Sequence, residues 1–497
     1  MQNYYEELLA RAREIAILKS IISLLQWDLE AKMPQSGIHL RKQQLAMLSK
    51  ILHKRICDPE IKMLLNKIDI QTLSEAQKRN VYLIRKNYEE QVKLPEKLIS
   101  ETAEQRAATI DVWRRAKAVG NFDILKPELM KLFELKKQMA NILMEVKSAS
   151  NPYEALIDIY EPKVTINFLT KIFEELKREL LILVEKYRAV SNELDAAILK
   201  IKIPVDIQRQ IARALAKFFE YDIETSQAWG RIDESEHPFT SGYYHDIRIT
   251  TKYHEDNYIS SIFSILHEVG HALYEHNLNP EFIYQPIGTT CSFGFEEAQA
   301  RFLENIIGRS REFWSYFHPR LKKIAGDFLP LDLDGYLAAI NQIKPTKIRI
   351  EADEVTYNLH ILIRFEIELD LFAEKIKISE LPQVWDEKYL NYLGLKIEND
   401  REGVLQDIHW ASGYFGYFPS YALGNLYSAQ ILSKLERELN WREQIAEGSF
   451  QGVKKWLVEN IYTYGNLYDP LDLIKKITGE ELSIEHYLNY LKNRYAK

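Results

Sequence analysis

Between Met1 and Trp229 the chain carries only two glycines, Gly37 and Gly120. Leu, Lys, Glu, Ala, Ile and Arg fill that stretch at helical spacing, as in Ile172-Phe-Glu-Glu-Leu-Lys-Arg-Glu-Leu-Leu-Ile-Leu-Val184, where an apolar stripe opposes charge. A chain with so little turn chemistry is confined to long helices, with breaks expected at Asn151-Pro152 and near Pro204. The character changes between Gly230 and Gly294. There Tyr243-Tyr-His-Asp-Ile-Arg-Ile-Thr-Thr-Lys-Tyr253 alternates well enough to read as one strand of a small sheet. A further helical region is expected from about Phe295, and a loop rich in Gly, aromatic residues and His from Gly403 to Gly424 precedes the last helices. The expected fold class is mainly α with a small β-sheet. No repeat of fixed period and no low-complexity tract is present.

Nothing in the 497 residues reads as a linker, so one domain spanning 1–497 is expected, a helical part to about 230 and then a part holding the chemical motifs. Apolar residues make up 46% and charged residues 28%, enough for a sizeable core. A net charge of -7 offers no general attraction to nucleic acid or anionic membranes. The start, Met1-Gln-Asn-Tyr-Tyr-Glu-Glu, lacks the basic and apolar segments of a signal peptide, and apolar runs such as Leu180 to Val184 are too short to span a bilayer. A cytoplasmic location is expected. Cys57 and Cys291 are the only cysteines, which excludes a disulfide framework and a thiolate metal site; Cys291 has no matched base nearby in sequence and is a poor nucleophile.

Leu266-His-Glu-Val-Gly-His-Ala-Leu273 contains H-E-x-x-H. Two His at i and i+4 face one side of a helix and bring two imidazole nitrogens to one zinc ion, while the adjacent Glu reaches the attacking water. Zinc lowers a water pKa toward about 7, so a carboxylate can take its proton during attack on a carbonyl. With 12 His in the chain, chance places this pattern roughly 0.03 times in such a length. Ile262, Ile265, Leu266, Val269 and Leu273 give the helix an apolar side, and Gly270 leaves room for another chain to approach. No third His follows at short spacing, so the third ligand is sought on the next helix, Gly294-Phe-Glu-Glu-Ala-Gln-Ala-Arg-Phe-Leu-Glu304. Glu296, Glu297 and Glu304 are all available there. The first two point about 100° apart, and spacing does not choose between them.

In order, the chain also carries His237-Pro238-Phe239, Asp246-x-Arg248-x-Thr250, Glu297-x-Gln299, Ile348-Arg349-x-x-Ala352-Asp353, Gln406-Asp407-x-His409-Trp410 and Gly416-Tyr-Phe-Pro-Ser-Tyr421. With the H-E-x-x-H segment among them, this series resembles the carboxypeptidase Taq family of zinc metallocarboxypeptidases over nearly all of the second half. The helical first half fits the family's size, with no individual motif matched there. The resemblance implies a two-lobed helical body with a deep groove. It also implies release of single residues from peptide C-termini with broad specificity, and homodimers. It assigns one zinc to His267, His271 and Glu297. The family normally carries His where this chain has Glu296, a change expected to alter hydrogen bonding around the metal, its affinity or the pH optimum.

A carboxypeptidase must read a terminal carboxylate, and a guanidinium does so through two parallel charge-assisted hydrogen bonds. Arg349 is the first candidate, opening a helix whose polar face is expected to include Asp353, Tyr357, His360 and Arg364. Tyr417 is the candidate donor to the developing oxyanion and His409 a second, while Tyr421 reads as an aromatic packed under the loop. Arg248 and His237 are placed beside the groove as substrate-binding or supporting groups. Glu268 is the expected catalytic base, taking the water's proton and returning it to the leaving amine. Cobalt or another divalent ion suits the same ligands. Two other readings are compatible with the residues: an oligoendopeptidase on the same scaffold, and a non-catalytic helical metal-binding protein. Structural zinc needs no base, so Glu268 argues against the second.

Overall fold

The computed structural model describes residues 4–191, 201–326 and 332–495. Its first part is helical as expected: α1 (Tyr4–Ala31), α2 (Ile38–Ile56), α3 (Pro59–Lys67), α4 (Glu75–Lys93), α5 (Glu96–Val119), α6 (Phe122–Lys147), α7 (Pro152–Tyr160), α8 (Ile166–Ser191) and α9 (Val205–Phe218). The breaks have identifiable chemistry. Ser74 and Gln77 form a reciprocal capping box at the start of α4, and the Asn151 side chain accepts from the Glu154 amide with Pro152 in the first turn of α7. Gly120 closes α5 at φ +76°, a left-handed conformation that suits glycine. The two-residue pattern Pro204-Val205 opens α9.

Strands β1 (Gly230–Glu234), β2 (Thr240–Tyr243) and β3 (Asp246–Thr251) form one sheet in the order β1-β3-β2, with β1 parallel and β2 antiparallel to β3. The run from Tyr243 to Tyr253, expected as one strand, is therefore split. Tyr244 turns the chain at φ +50°, so Tyr243 ends one strand and Asp246 begins the next. Ile247 and Ile249 are fully buried, while the alternate residue Arg248 faces the other side of the sheet. β2 is an edge strand, and its residues border the cavity described below.

The remaining helices are α10 (Tyr258–His276), α11 (Phe293–Arg301), α12 (Arg311–Ala325), α13 (Leu333–Ile340), α14 (Glu354–Phe372), α15 (Leu381–Leu393), α16 (Phe418–Glu438), α17 (Trp441–Ala446), α18 (Gln451–Asn460), α19 (Pro470–Thr478) and α20 (Ile484–Tyr495). One core of buried apolar residues runs from Trp113 to Leu491 and includes Leu266, Phe295 and Leu426. A smaller cluster, with Leu8, Ile61, Leu64 and Val81, joins α1, α3 and α4. The metal-motif helix α10 packs on β2 and β3 on one side and on α11 on another. Two glycines set the helix spacing around it. A Cβ on Gly270 would stand 2.6 Å from the Ala300 Cα, and one on Gly424 would stand 2.8 Å from the Glu297 Cβ and Cγ. Those two positions let α10 and α16 close on the helix that carries Glu297.

Candidate metal centre

The register of α10 places His267 and His271 one turn apart, and Asn257 fixes the helix start by accepting from the Ser260 amide. Ile262, Ile265, Leu266, Val269 and Leu273 are buried as the pattern requires. α11 starts two residues earlier than expected, at Phe293, where the Ser292 hydroxyl accepts from the Phe295 amide. The contacts His267 to Glu304, Gly270 to Ala300 and His271 to Glu297 show that α11 runs antiparallel to α10.

One donor atom from each of His267, His271 and Glu297 lies within 4.8 Å of the others. Glu297 Oε2 is 3.8 Å from His267 Nε2 and 4.0 Å from His271 Nε2. Ligands about 2.0 to 2.1 Å from a tetrahedral metal sit about 3.3 Å apart, so the donors must draw together by roughly half an ångström or more to close on one ion. The donors are oriented from behind. Glu304 Oε2 lies 2.8 Å from His267 Nδ1, which turns Nε2 toward the shared point, and Arg301 donates to Glu297 Oε1 at 2.7 Å and to Glu304 Oε2 at 3.0 Å. That leaves Glu297 Oε2 for a cation. Two neutral imidazole nitrogens and a carboxylate oxygen fit a divalent metal of the zinc type.

The two imidazoles differ in charge, and His267 must release a proton when a cation binds. Burial lowers the His267 pKa, but the carboxylates of Glu297 and Glu304 overcome it and hold the ring at about 9. Burial and the neighbouring His267 pull His271 down to about 3. Burial works against ionisation of Glu304, yet Arg301 and His267 hold it at about 2; Glu297 is lowered against the same penalty by Arg301 and the two His. Glu268 behaves differently. Burial pushes it up to about 7, partly offset by His267 and by the Thr240 hydroxyl, which donates to Oε2 at 2.7 Å. A carboxyl poised there can both accept and return a proton near neutrality.

A cavity of about 350 Å³ holds these groups, walled by Pro238 to Gly242, the metal residues, Glu268, Tyr417 and Tyr421. Tyr421 is thus not packed away under the loop as expected: it faces the cavity, and its hydroxyl is 3.2 Å from His409 Nε2. The Tyr417 and Tyr421 rings pack edge to face with centroids 5.2 Å apart. His409 is buried behind them, and burial brings its pKa down to about 3, so it is neutral and serves as a partner of Tyr421.

Arg349 does not open the long helix. It lies in a short 3-10 turn, Arg349–Glu351, and α14 starts only at Glu354, where the Asp353 carboxylate caps it. The polar face expected along that helix is buried in full at His360 and Arg364. Arg349 is itself buried and donates through Nε and Nη2 to Asp407 Oδ1 at 3.1 and 3.0 Å, and through Nη1 to the Tyr357 hydroxyl at 2.9 Å. Arg364 pairs with the other oxygen of Asp407 at 2.6 Å. The Arg301 guanidinium lies 4.3 Å over the Tyr357 ring, so one chain of contacts links Arg349 through Tyr357 and Arg301 to Glu297. Arg349 also stands 5.0 Å from the Tyr421 ring, behind the cavity wall.

Two other expected residues sit apart from this cavity. Arg248 pairs with Asp246 at 2.7 and 2.8 Å and stacks 4.2 Å over Trp27 of α1. His237 is exposed, and it is its backbone carbonyl, accepting from Ser235 Oγ at 2.6 Å, that is engaged. Their neighbours Pro238, Phe239 and Thr240 form the wall instead.

The model of the carboxypeptidase Taq (M32) metallopeptidases matches residues 7–495. The chain belongs to that family. The chain of this M32 metallopeptidase is 38% identical to Thermostable carboxypeptidase 1 of Thermus thermophilus, covering 99% of this chain and 98% of that one. It is 35% identical to Carboxypeptidase 1 of Bacillus subtilis, covering 100% and 99%. A solved carboxypeptidase of Pyrococcus furiosus superposes with a TM-score of 0.95 at 33% identity over 100% of this chain and 99% of that one. The fold is thus that of the M32 carboxypeptidases, which are hydrolases, and the family implies a divalent metal.

Sequence reasoning missed several parts of this M32 site. Glu304 stood in the right helix, three residues past Arg301, but its partner is 37 residues away and no local signal gives that pairing. Asp407 was visible only as part of a motif, without its two guanidinium partners. Glu161 gave no signal at all. It is fully buried, accepts from the Ser420 hydroxyl at 2.8 Å and from the Gly294 amide, and so ties the start of α11 to the first turn of α16.

Proposed function

We propose that this protein is a zinc-dependent carboxypeptidase that removes single residues from free peptide C-termini, with little selectivity for the residue released. The observation that carries the reading is the convergence of His267, His271, Glu297 and Glu268 in one cavity, with Arg349 buried behind its Tyr421 wall. A divalent ion on the three donors would supply Lewis acidity toward the scissile carbonyl and toward the attacking water. Zinc is favoured by the two-imidazole, one-carboxylate set, and cobalt or a similar ion would suit it.

The chain's own residues do the rest. Thr240 holds the Glu268 carboxyl by a hydrogen bond, and Glu268 takes the proton of the attacking water and hands it to the departing amine. Tyr417, in the cavity wall, donates to the oxyanion as it develops. Arg349 has five N–H groups, of which three are bonded to Asp407 and Tyr357. The two others, one on each terminal nitrogen, have no partner among the described residues and match the two oxygens of a carboxylate. Asp407 fixes the guanidinium from its opposite edge. An endopeptidase would have no use for such an anchor.

No described helix is long and apolar enough to cross a membrane. A cytoplasmic homodimer is part of the same proposal. Mass spectrometry of an unblocked peptide incubated with the metal-loaded protein tests the reading. Successive loss of single C-terminal residues is expected. Internal cleavage, or none in a metal-replete protein, overturns it.

A further inference from the structure

Glu368 lies on α14 and is fully buried, and no cation pairs with it among the described residues. Three donors hold its carboxyl instead. The Tyr153 hydroxyl of α7 donates to Oε2 at 2.9 Å, the Gly416 amide donates to the same oxygen at 2.7 Å, and the Trp410 indole donates to Oε1 at 2.7 Å. Burial still pushes its pKa up to about 7 against those donors. A buried carboxyl without a counter-cation adds little to stability beside an apolar side chain of similar volume. What it does supply is direction. One oxygen takes the start of the loop 410–416, the other takes its end, and both belong to one rigid helix.

Each end of that loop adjoins a group of the metal cavity. Trp410 follows His409, whose Nε2 is 3.2 Å from the Tyr421 hydroxyl. Gly416 precedes Tyr417, a residue of the cavity wall. Gly416 takes φ +85°, and a Cβ there would stand 2.8 Å from the Ile157 amide nitrogen, so the backbone rests against α7 while Glu368 holds its N–H. The Tyr417 ring then packs edge to face on Tyr160 and on Phe293, with centroids 5.0 and 5.4 Å away. Farther along, the Ser420 hydroxyl donates to Glu161 at 2.8 Å, which gives the first turn of α16 an anchor of its own.

We propose that Glu368 is a positioning residue of the peptidase site, which fastens both ends of the loop 410–416 and so aims the Tyr417 hydroxyl at the oxyanion. The inference rests on the role given to Tyr417 in the proposed mechanism. Displacing a positioned group by about 1 Å costs on the order of 100-fold in rate. Glu368→Gln keeps the shape of the side chain and turns one acceptor into a donor. Whichever way the amide lies, its NH2 meets either the Trp410 indole or the Gly416 amide, both of which only donate. One end of the loop is thereby released.

The test uses the metal-loaded full chain with N-acylated Ala-Leu-Leu as substrate and leucine release as the readout, and metal content is measured alongside. Glu368→Gln is expected to keep its metal and to lower kcat about tenfold or more, with KM within about threefold of the unaltered protein. Tyr417→Phe is expected to lower kcat about 100-fold. The double variant decides. If Glu368 acts through the Tyr417 hydroxyl, adding Glu368→Gln to Tyr417→Phe lowers kcat by less than about threefold more, whereas a general weakening of the fold multiplies the two losses. Tyr153→Phe removes one donor and leaves the carboxyl; where Glu368→Gln does not fold, it takes that place in the same cycle and the same outcomes decide. Full kcat in the single variant at this position, a loss confined to KM, loss of the metal, or multiplied losses in the double variant overturns the inference alone. Full kcat in Tyr417→Phe overturns the oxyanion role of Tyr417 and this inference with it, and no leucine release by the unaltered protein overturns the carboxypeptidase reading itself.

Discussion

The Nδ1 atom of His267 lies 2.8 Å from Glu304 Oε2, and that contact decides which nitrogen of the ring faces the metal donors. A carboxylate accepting from Nδ1 fixes the tautomer and raises the basicity of Nε2. Glu304→Gln is therefore expected to weaken metal binding by about 10- to 100-fold. Competition with a chelator of known affinity measures this, and unfolding in urea shows whether the apo fold is kept. Undiminished affinity would mean that α10 and α11 alone orient the ring.

Two neighbouring carboxylates on α11 should behave in opposite ways. Glu297→Ala removes a donor and is expected to abolish stoichiometric metal, whereas Glu296→Ala, one residue away and about 100° around the helix, should retain it. Metal content of the purified variants decides. In the same series Glu268→Gln should keep its metal and lose nearly all turnover, because the ligands stay and the base is gone. Full activity in that variant would remove Glu268 from the mechanism.

The local parts of this site could be read from the sequence because they depend on helical register. His267, Glu268 and His271 are one turn of one helix, whereas on the next helix spacing left Glu296 and Glu297 open and the family resemblance favoured Glu297. The long helices before Gly230 followed from the near absence of glycine. Failures came where a residue's role is set by something distant. Arg349 was placed on a helix because Asp353, Tyr357 and Arg364 recur at helical spacing, but the Asp353 carboxylate caps at that point and Arg349 belongs to the turn before it. Tyr421 looked like a core aromatic, and only the packing of α16 against α11 turns it toward the cavity. The strand expected from Tyr243 to Tyr253 alternated correctly, yet the turn at Tyr244 has no glycine to announce it.

Asp407 ties together two buried guanidiniums, those of Arg349 and Arg364. Burial opposes its ionisation, but the two arginines hold its pKa far below the ordinary carboxylate range of about 3.9. The sign follows from linkage. A depressed pKa in the folded state contributes stability that is complete above the unfolded pKa and is lost as pH falls toward the folded one. Asp407→Asn should thus destabilise the protein by about 3 kcal/mol at pH 7, through two under-compensated buried cations. The gap between variant and parent should narrow as pH drops below about 4. Urea unfolding from pH 7 down to pH 3 measures both, and a gap independent of pH would show that Asp407 acts through shape and not through charge.

Arg349 is the residue on which exopeptidase action depends in this reading. A cavity around a metal can cut anywhere along a peptide unless one end is held at a fixed distance from it. Asp407 occupies the Nε and Nη2 edge of the guanidinium and Tyr357 takes one proton of Nη1, so one proton on each terminal nitrogen is left for a substrate carboxylate. Losing the arginine leaves the substrate carboxylate unpaired in a desolvated site, at a cost of about 2 to 5 kcal/mol. Arg349→Ala or Arg349→Lys should therefore lower kcat/KM for free peptides by roughly one to three decades, at about 1.4 kcal/mol per decade. Lysine is not a rescue, because a single ammonium cannot present the fork and hold Asp407 together. Peptides with an amidated C-terminus should be poor substrates of the unaltered protein and lose much less on mutation. Metal content measured alongside separates the two routes to inactivity, since Arg349 also touches Tyr357, which lies under Arg301 and so behind Glu297. Equal losses for free and amidated peptides, or loss of the metal with the arginine, would show that Arg349 supports the site and that the carboxylate is read elsewhere.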